Sequence, residues 1–133
     1  MTYLLDTNAC ISYLNTIESP VRKRMQQLKP SQIVLCTVVE AELYYGVMKS
    51  AKPRENLVRL TPFIRQFESL PFDSNAAREF GRIRAELAHA GTPIGPYDLQ
   101  IAAIAIANGV TVVTHNTREF GRVAGLWLDD WEQ

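Results

Sequence analysis

The sequence predicts an α/β fold in which a parallel sheet of about five short strands is flanked by helices. Three observations carry this. Short apolar runs alternate with longer stretches of helical period, capping residues follow those runs directly, and one helical stretch, Pro96 to Asn108, is apolar on nearly every face. Parallel strands cannot be joined by tight hairpins, so each connection must be a crossover helix lying on the sheet, and the right-handed crossover is the one that packs.

The first strand is Thr2 to Leu5, built on the apolar run Tyr3-Leu4-Leu5 and ended by Asp6. Asp6-Thr7-Asn8 offers capping chemistry for a short helix carried by Ala9, Cys10, Ile11, Tyr13 and Leu14. Ser19-Pro20 opens a second helix that runs to about Leu28, and Lys29-Pro30-Ser31 breaks it. Gln32 to Cys36 is the second strand. Thr37-Val38-Val39-Glu40 reads as a capping box, with Glu40 reaching back to the cap, for a helix ending near Lys49. Pro53 to Gln66 is helical, with a kink or split expected at Pro62 because proline removes a backbone donor. Glu68 to Phe72 is the third strand, Asp73 or Ser74 caps a helix from Ala76 to Ala90, and Gly91 ends it. Beyond the loop Thr92-Pro93-Ile94-Gly95, Pro96 opens the apolar helix and Gly109 stops it. Val110 to Thr114 is the fourth strand, Thr117 to Phe120 one helical turn, and Leu126 to Leu128 the fifth strand.

With 133 residues, the chain is expected to form one domain spanning 1–133, which buries roughly 65–70% of the surface that the unfolded chain exposes. A composition of 47% hydrophobic and 21% charged residues excludes a disordered chain. The longest apolar run, Ile101 to Ala107, has seven residues, far short of the ~20 of a membrane helix, so no membrane partner is expected. No basic region precedes the first apolar run and Asp6 interrupts it, so no signal peptide is expected and a cytoplasmic location is. Cys10 and Cys36 read as core residues and show no zinc spacing. Trp127 and Trp131 read as core and C-terminal packing, and Arg84 with Glu86 as a surface pair. Fourteen basic and fourteen acidic residues balance, so any nucleic-acid contact must use a local patch such as Arg22-Lys23-Arg24 or Lys49, Lys52 and Arg54.

Four polar positions stand where a parallel sheet gathers ligands, outside the carboxyl ends of its strands. They are Asp6 after the first strand, Glu42 in the helix after the second, Asp98 in the first turn of the apolar helix, and Asn116 just past the fourth strand. Asp6 alone would read as a helix cap and Asp98 alone as a dipole partner; together with Glu42 they would repel by on the order of 4 kcal/mol per pair at ~4 Å and an effective dielectric of ~20. Such a cluster calls for a cation. Oxygen ligands select Mg²⁺, with Mn²⁺ as a substitute, and a carboxylate-held Mg²⁺ serves phosphate chemistry. The capping box gives Glu40 a structural role and leaves Glu42 free to be the ligand. A Mg²⁺-binding phosphoacceptor or phosphatase-like α/β domain is the alternative, but it calls for paired acids after the first strand, where Asn8 fills the second place.

Leu5-Asp6-Thr7-Asn8, Glu42-Leu43-Tyr44-Tyr45-Gly46, Arg84-Ala85-Glu86-Leu87 with Gly91-Thr92-Pro93-Ile94-Gly95-Pro96-Tyr97-Asp98, and Val113-Thr114-His115-Asn116 with Glu119-Phe120 resemble the motifs of the PIN-domain ribonucleases. More closely, they resemble VapC, the toxin of VapBC toxin–antitoxin pairs. The match covers nearly the whole chain, in order and with spacing. It implies a PIN-like three-layer domain and a Mg²⁺-dependent endoribonuclease. In that reading Asp6, Asp98 and Glu42 hold the metal, Asn116 joins them as the fourth catalytic position, and a metal-activated water attacks an RNA phosphodiester. Thr7, Asn8 and Thr114 become candidates for contacting substrate. The resemblance also implies tRNA as substrate, with the initiator tRNA cut in its anticodon loop. A VapB-type antitoxin is the implied partner, with the nuclease a homodimer in a larger toxin–antitoxin assembly. Many PIN domains carry Asp where this chain has Asn116, and an amide oxygen can ligate but brings no charge.

Overall fold

The computed structural model describes residues 1–132. Strands β1 (Tyr3–Leu5), β2 (Ile33–Cys36), β3 (Glu68–Leu70), β4 (Thr111–Val113) and β5 (Leu128–Asp129) form one parallel sheet in the order β3-β2-β1-β4-β5. The chain begins in the centre, winds to one edge through β2 and β3, then crosses back to build the other edge from β4 and β5. The strand order reverses at β1, so Asp6 leaves the sheet at the crevice where such sheets bind ligands. Leu4, Leu5, Leu35 and Val112 have no exposed surface, as expected of strands covered on both faces.

Helices α1 (Thr7–Asn15), α2 (Pro20–Gln26), α3 (Thr37–Met48), α4 (Pro53–Arg65), α5 (Ser74–Ala90), α6 (Pro96–Asn108) and α7 (Thr117–Phe120) connect the strands, with a single 3-10 turn at Pro30–Gln32 before β2. Helix α6 packs along α5 and against α3. Ile101 through Ala105 on it are fully buried, and its alanines let those neighbours approach closely. Cys10 and Cys36 are buried and unpaired within the same core. Among the described residues no helix is long and apolar enough to cross a membrane.

Several local expectations are corrected. The capping box at Thr37 is absent: Cys36 is the N-cap, it makes no side-chain cap bond, and Glu40 instead accepts the Ser69 hydroxyl of β3. No loop residue separates β2 from α3, so Thr37 is already helical and cannot serve as the cap. Pro62 does not split α4. Pro62 and Val58, whose carbonyl loses its donor, are both exposed, so water can take that carbonyl. Strand β3 stops at Leu70, where Pro71 has no N–H to offer, rather than at Phe72. Strand β5 begins at Leu128 because Leu126 donates its N–H to Val123 in a turn. Trp127 is 63% exposed rather than packed, whereas Trp131 is buried edge-on against Tyr3 with ring centroids 5.1 Å apart. Arg84 and Glu86 do not pair, since positions two apart on a helix do not face each other. Arg82 holds both Glu79 and Glu86, and Arg84 lies over the Phe80 ring.

Gly121 closes α7, and a Cβ built there would meet the Thr117 carbonyl oxygen at 2.5 Å. The obstacle is backbone, so the turn itself must move. Gly121→Ala is therefore expected to lower stability by about 1–3 kcal/mol in urea unfolding.

Candidate active site

Asp6 extends the central ladder by one bond, its N–H donating to the Val113 carbonyl at 3.1 Å, before the chain turns into α1. It is the N-cap of that helix: Oδ1 accepts the Ala9 N–H at 2.8 Å. The capping role is real, but it occupies one oxygen of a carboxylate that is only 5% exposed. Burial pushes the pKa of Asp6 up, hydrogen bonds from the Thr114 side chain and the Ala9 N–H act against this, and the charges of Glu132 and Glu42 add to it.

Thr7, the first residue of α1, donates its hydroxyl to Oε1 of Glu42 at 2.7 Å, tying α1 to α3 beside Asp6. Glu40 lies roughly 200° around α3 from Glu42 and faces β3 through Ser69. Helical geometry thus separates the two acids that the sequence left competing.

Asp98 stands in the first turn of α6. Its pKa is raised from 3.8 to about 6, first by burial and then by the negative charges of Glu119, Asp6 and Glu42. Glu119 comes from α7. Its Oε1 accepts the Gly95 N–H at 2.5 Å and its Oε2 accepts the Asn116 amide at 2.8 Å. These two donors hold its pKa down. A Cβ on Gly95 would lie 3.5 Å from Glu119 Oε1 and 3.8 Å from Asp98 Oδ2, so both carboxyls crowd that glycine. One acid of this pair is pushed up and its neighbour down, the pattern of two carboxyls that share a proton.

The structure brings Asp6, Glu42 and Asp98 together at the carboxyl end of β1. Asn116 is exposed at the N-cap of α7, where it steadies Glu119. Thr114 is 1% exposed and engages Asp6 and the Asn116 N–H, and Thr7 engages Glu42, so both support carboxylates; Asn8 is exposed in the first turn of α1. Glu119 received no role in the sequence reading, although its place three residues after Asn116, on the same side of a helical turn, was a signal. Glu132 had none, because it reaches Asp6 only through the path of the chain beyond β5. Beside it, His115 Nδ1 lies 3.0 Å from Asp130 Oδ2.

Among the described residues no Lys or Arg forms an ion pair with Asp6, Glu42, Asp98 or Glu119. Burial with unbalanced negative charge and an all-oxygen donor set fits a hard divalent cation. His115, Asp130 and Glu132 bring three ligand atoms within 4.8 Å of one another, a closeness that no three of the crevice carboxylates reach. Next to Glu42 an open cleft runs between α1, α3 and α4, with Ile11, Leu14, Leu43 and Val47 among its walls.

Residues 3–126 match the PIN domain family. The chain is 42% identical, over 98% of both sequences, to the tRNA(fMet)-specific endonuclease VapC of Salmonella typhimurium, and 41% identical over the same share to that of Shigella flexneri. Among solved structures it is similar to a chain in the crystal structure of DNA-bound VapBC from Salmonella typhimurium, with a TM-score of 0.93, 41% identity and 98% of each chain covered. A chain of FitAcB from Neisseria gonorrhoeae matches with a TM-score of 0.88 at 28% identity, again covering 98% of each.

The electrostatics of the crevice set a pH dependence. Because folding raises the pKa of Asp98 above its ordinary 3.8, the folded chain holds a proton that the unfolded chain has released. This contribution is complete below 3.8 and is lost as pH rises through about 6. In EDTA, the melting temperature of the wild type should therefore fall over that window relative to Asp98→Asn, with the two converging at low pH.

Proposed function

The chain belongs to the PIN-domain family, and from that premise we propose that it is a metal-dependent endoribonuclease acting on tRNA, the toxin of a VapBC-type pair. The observation that carries this reading is the convergence of Asp6, Glu42, Asp98 and Glu119 at the switch point of the sheet, where among the described residues none of the four is in an ion pair and only Glu119 feels a nearby basic charge, that of Arg122. The names of the Salmonella and Shigella relatives support initiator tRNA as the substrate, which makes the cytoplasm the place of action.

Asp6, Asp98 and Glu42 would hold the cation, with Glu119 and Asn116 beside them, and Mg²⁺ is the ion we propose, Mn²⁺ its substitute. When bound, such an ion neutralises charge on the scissile phosphate and acidifies a water. The chain's own residues supply the preorganisation. The Ala9 N–H fixes Oδ1 of Asp6 and the Thr114 side chain bonds the same carboxylate; the Thr7 hydroxyl fixes Oε1 of Glu42. Gly95 and Asn116 clamp both oxygens of Glu119. Donors already in place need not reorganise during the reaction.

A VapB-type antitoxin is the proposed partner. The cleft beside Glu42 is apolar along much of its wall and acidic at one end, which suits an apolar segment that delivers a basic side chain to the carboxylates. Desolvated charge pairs of that kind can contribute several kcal/mol. Gly46 deepens this cleft, since a Cβ there would meet nothing within 4 Å. A homodimer within a larger toxin–antitoxin assembly belongs to the same reading.

The test is cleavage of tRNA by the purified protein in Mg²⁺ and in EDTA, with analysis of the product ends. Because the proposed nucleophile is a metal-activated water and not the 2′-hydroxyl, 5′-phosphate and 3′-hydroxyl ends are expected, and none in EDTA. Glu42→Gln should slow cleavage tenfold or more, about 1.4 kcal/mol of transition-state stabilisation, while Glu40→Gln leaves it intact. Cyclic 2′,3′-phosphate products formed in EDTA would refute the mechanism.

A further inference from the structure

The crevice carboxylates repel a polyanion, so part of the grip on RNA is expected from contacts that do not depend on its phosphates. Stacking of bases on aromatic side chains is the strongest contact of that kind. Of the exposed rings, Phe72 lies edge-on to Phe80 and Tyr45 carries the Lys49 ammonium 4.9 Å from its centroid. Tyr44 falls roughly 200° around α3 from Glu42. Trp127 precedes β5, and its carbonyl takes the N–H of Val112, a residue short of the crevice end of β4. Tyr97 differs from all of these. It immediately precedes Asp98 in the first turn of α6, exposes 57% of its surface, and has no ring pairing or side-chain hydrogen bond among the described residues. Its mounting is rigid: Pro96 fixes the backbone before it, and the Gly95 N–H is bonded to Glu119. With the backbone fixed, only the side-chain torsions of the ring remain to be ordered when a base stacks on it, which keeps the entropy cost low.

We propose that Tyr97 is a specificity-determining residue that stacks on an unpaired RNA base beside the scissile phosphate and so directs the nuclease to single-stranded loops. This rests on the nuclease reading above. A paired base keeps its faces against its neighbours in the helix and cannot use the ring; a base in a loop can swing out onto it. The hydroxyl is not needed for stacking, which separates this role from a hydrogen-bonding one.

The experiment measures kcat and KM of the wild type, Tyr97→Phe, Tyr97→Leu and Tyr97→Ala in Mg²⁺. The substrates are an initiator-tRNA anticodon stem-loop and a set of stem-loops with one loop nucleotide made abasic. The wild type should lose about tenfold in kcat/KM, roughly 1.4 kcal/mol, on one abasic substrate, chiefly through KM. Tyr97→Phe should match the wild type. Tyr97→Ala and Tyr97→Leu should lose the same factor on the intact loop and nothing further on the abasic one, with melting temperatures and sedimentation unchanged. Two variants guard against a folding defect in either. Wild-type rates in both, an abasic penalty that persists without the ring, or loss of activity that tracks loss of an oligomer would overturn the inference while leaving the nuclease reading intact. A wild type that cuts no RNA in Mg²⁺ would overturn both.

Discussion

Desolvated negative charge at the carboxyl end of β1 is the constraint on which the rest of the structure depends. Asp6 is buried to all but 5% of its surface, Asp98 is driven to a pKa of about 6, and Glu42 and Glu119 stand close enough to act on them. Carboxylates placed there oppose folding unless protons or a cation neutralise them, and the fold restrains them from the other side with fixed donors. The Ala9 N–H, the Thr7 hydroxyl, the Gly95 N–H and the Asn116 amide each hold one oxygen. Function therefore takes the form of a tension: the apolar sheet and α6 supply stability, and the crevice spends part of it on unbalanced charge.

Topology makes this arrangement possible with short local segments. In a parallel sheet the carboxyl ends of the strands and the starts of the following helices share one edge, so Asp6, the first turn of α6 and the turn of α7 converge although they are far apart in sequence. The central position of β1 puts Asp6 between β2 and β4. Buried Leu4 and Leu5 fix that strand's register, because a slip of one residue would move every side chain to the other face of the sheet.

What was legible in the sequence was what local pattern decides. The alternation of strands and helices, the glycine that ends α5, the apolar α6 and the places of Asp6 and Asp98 all follow from periodicity and caps within a few residues. Long-range facts were hidden. The capping box failed because nothing local says whether a loop residue separates β2 from α3. Trp127 and Trp131 look alike in sequence, yet only Trp131 meets Tyr3. Glu119 and Glu132 reach the site through the path of α7 and of the segment after β5, which depends on how those segments fold back on the sheet. Asn116 was placed at the site by its motif, but its work of holding Glu119 could be read only from the geometry.

The most direct measurement of the central claim is thermal unfolding against Mg²⁺ concentration at pH 7.5, comparing the wild type with Asp6→Asn/Glu42→Gln/Asp98→Asn. A cation that binds the folded carboxylates raises the melting temperature with concentration, in proportion to RT ln(1 + [L]/Kd). The account predicts a saturable rise for the wild type, and a neutralised variant that is more stable in EDTA and unresponsive to Mg²⁺. An equal Mg²⁺ response in both proteins, or a neutralised variant that is less stable in EDTA, would contradict it.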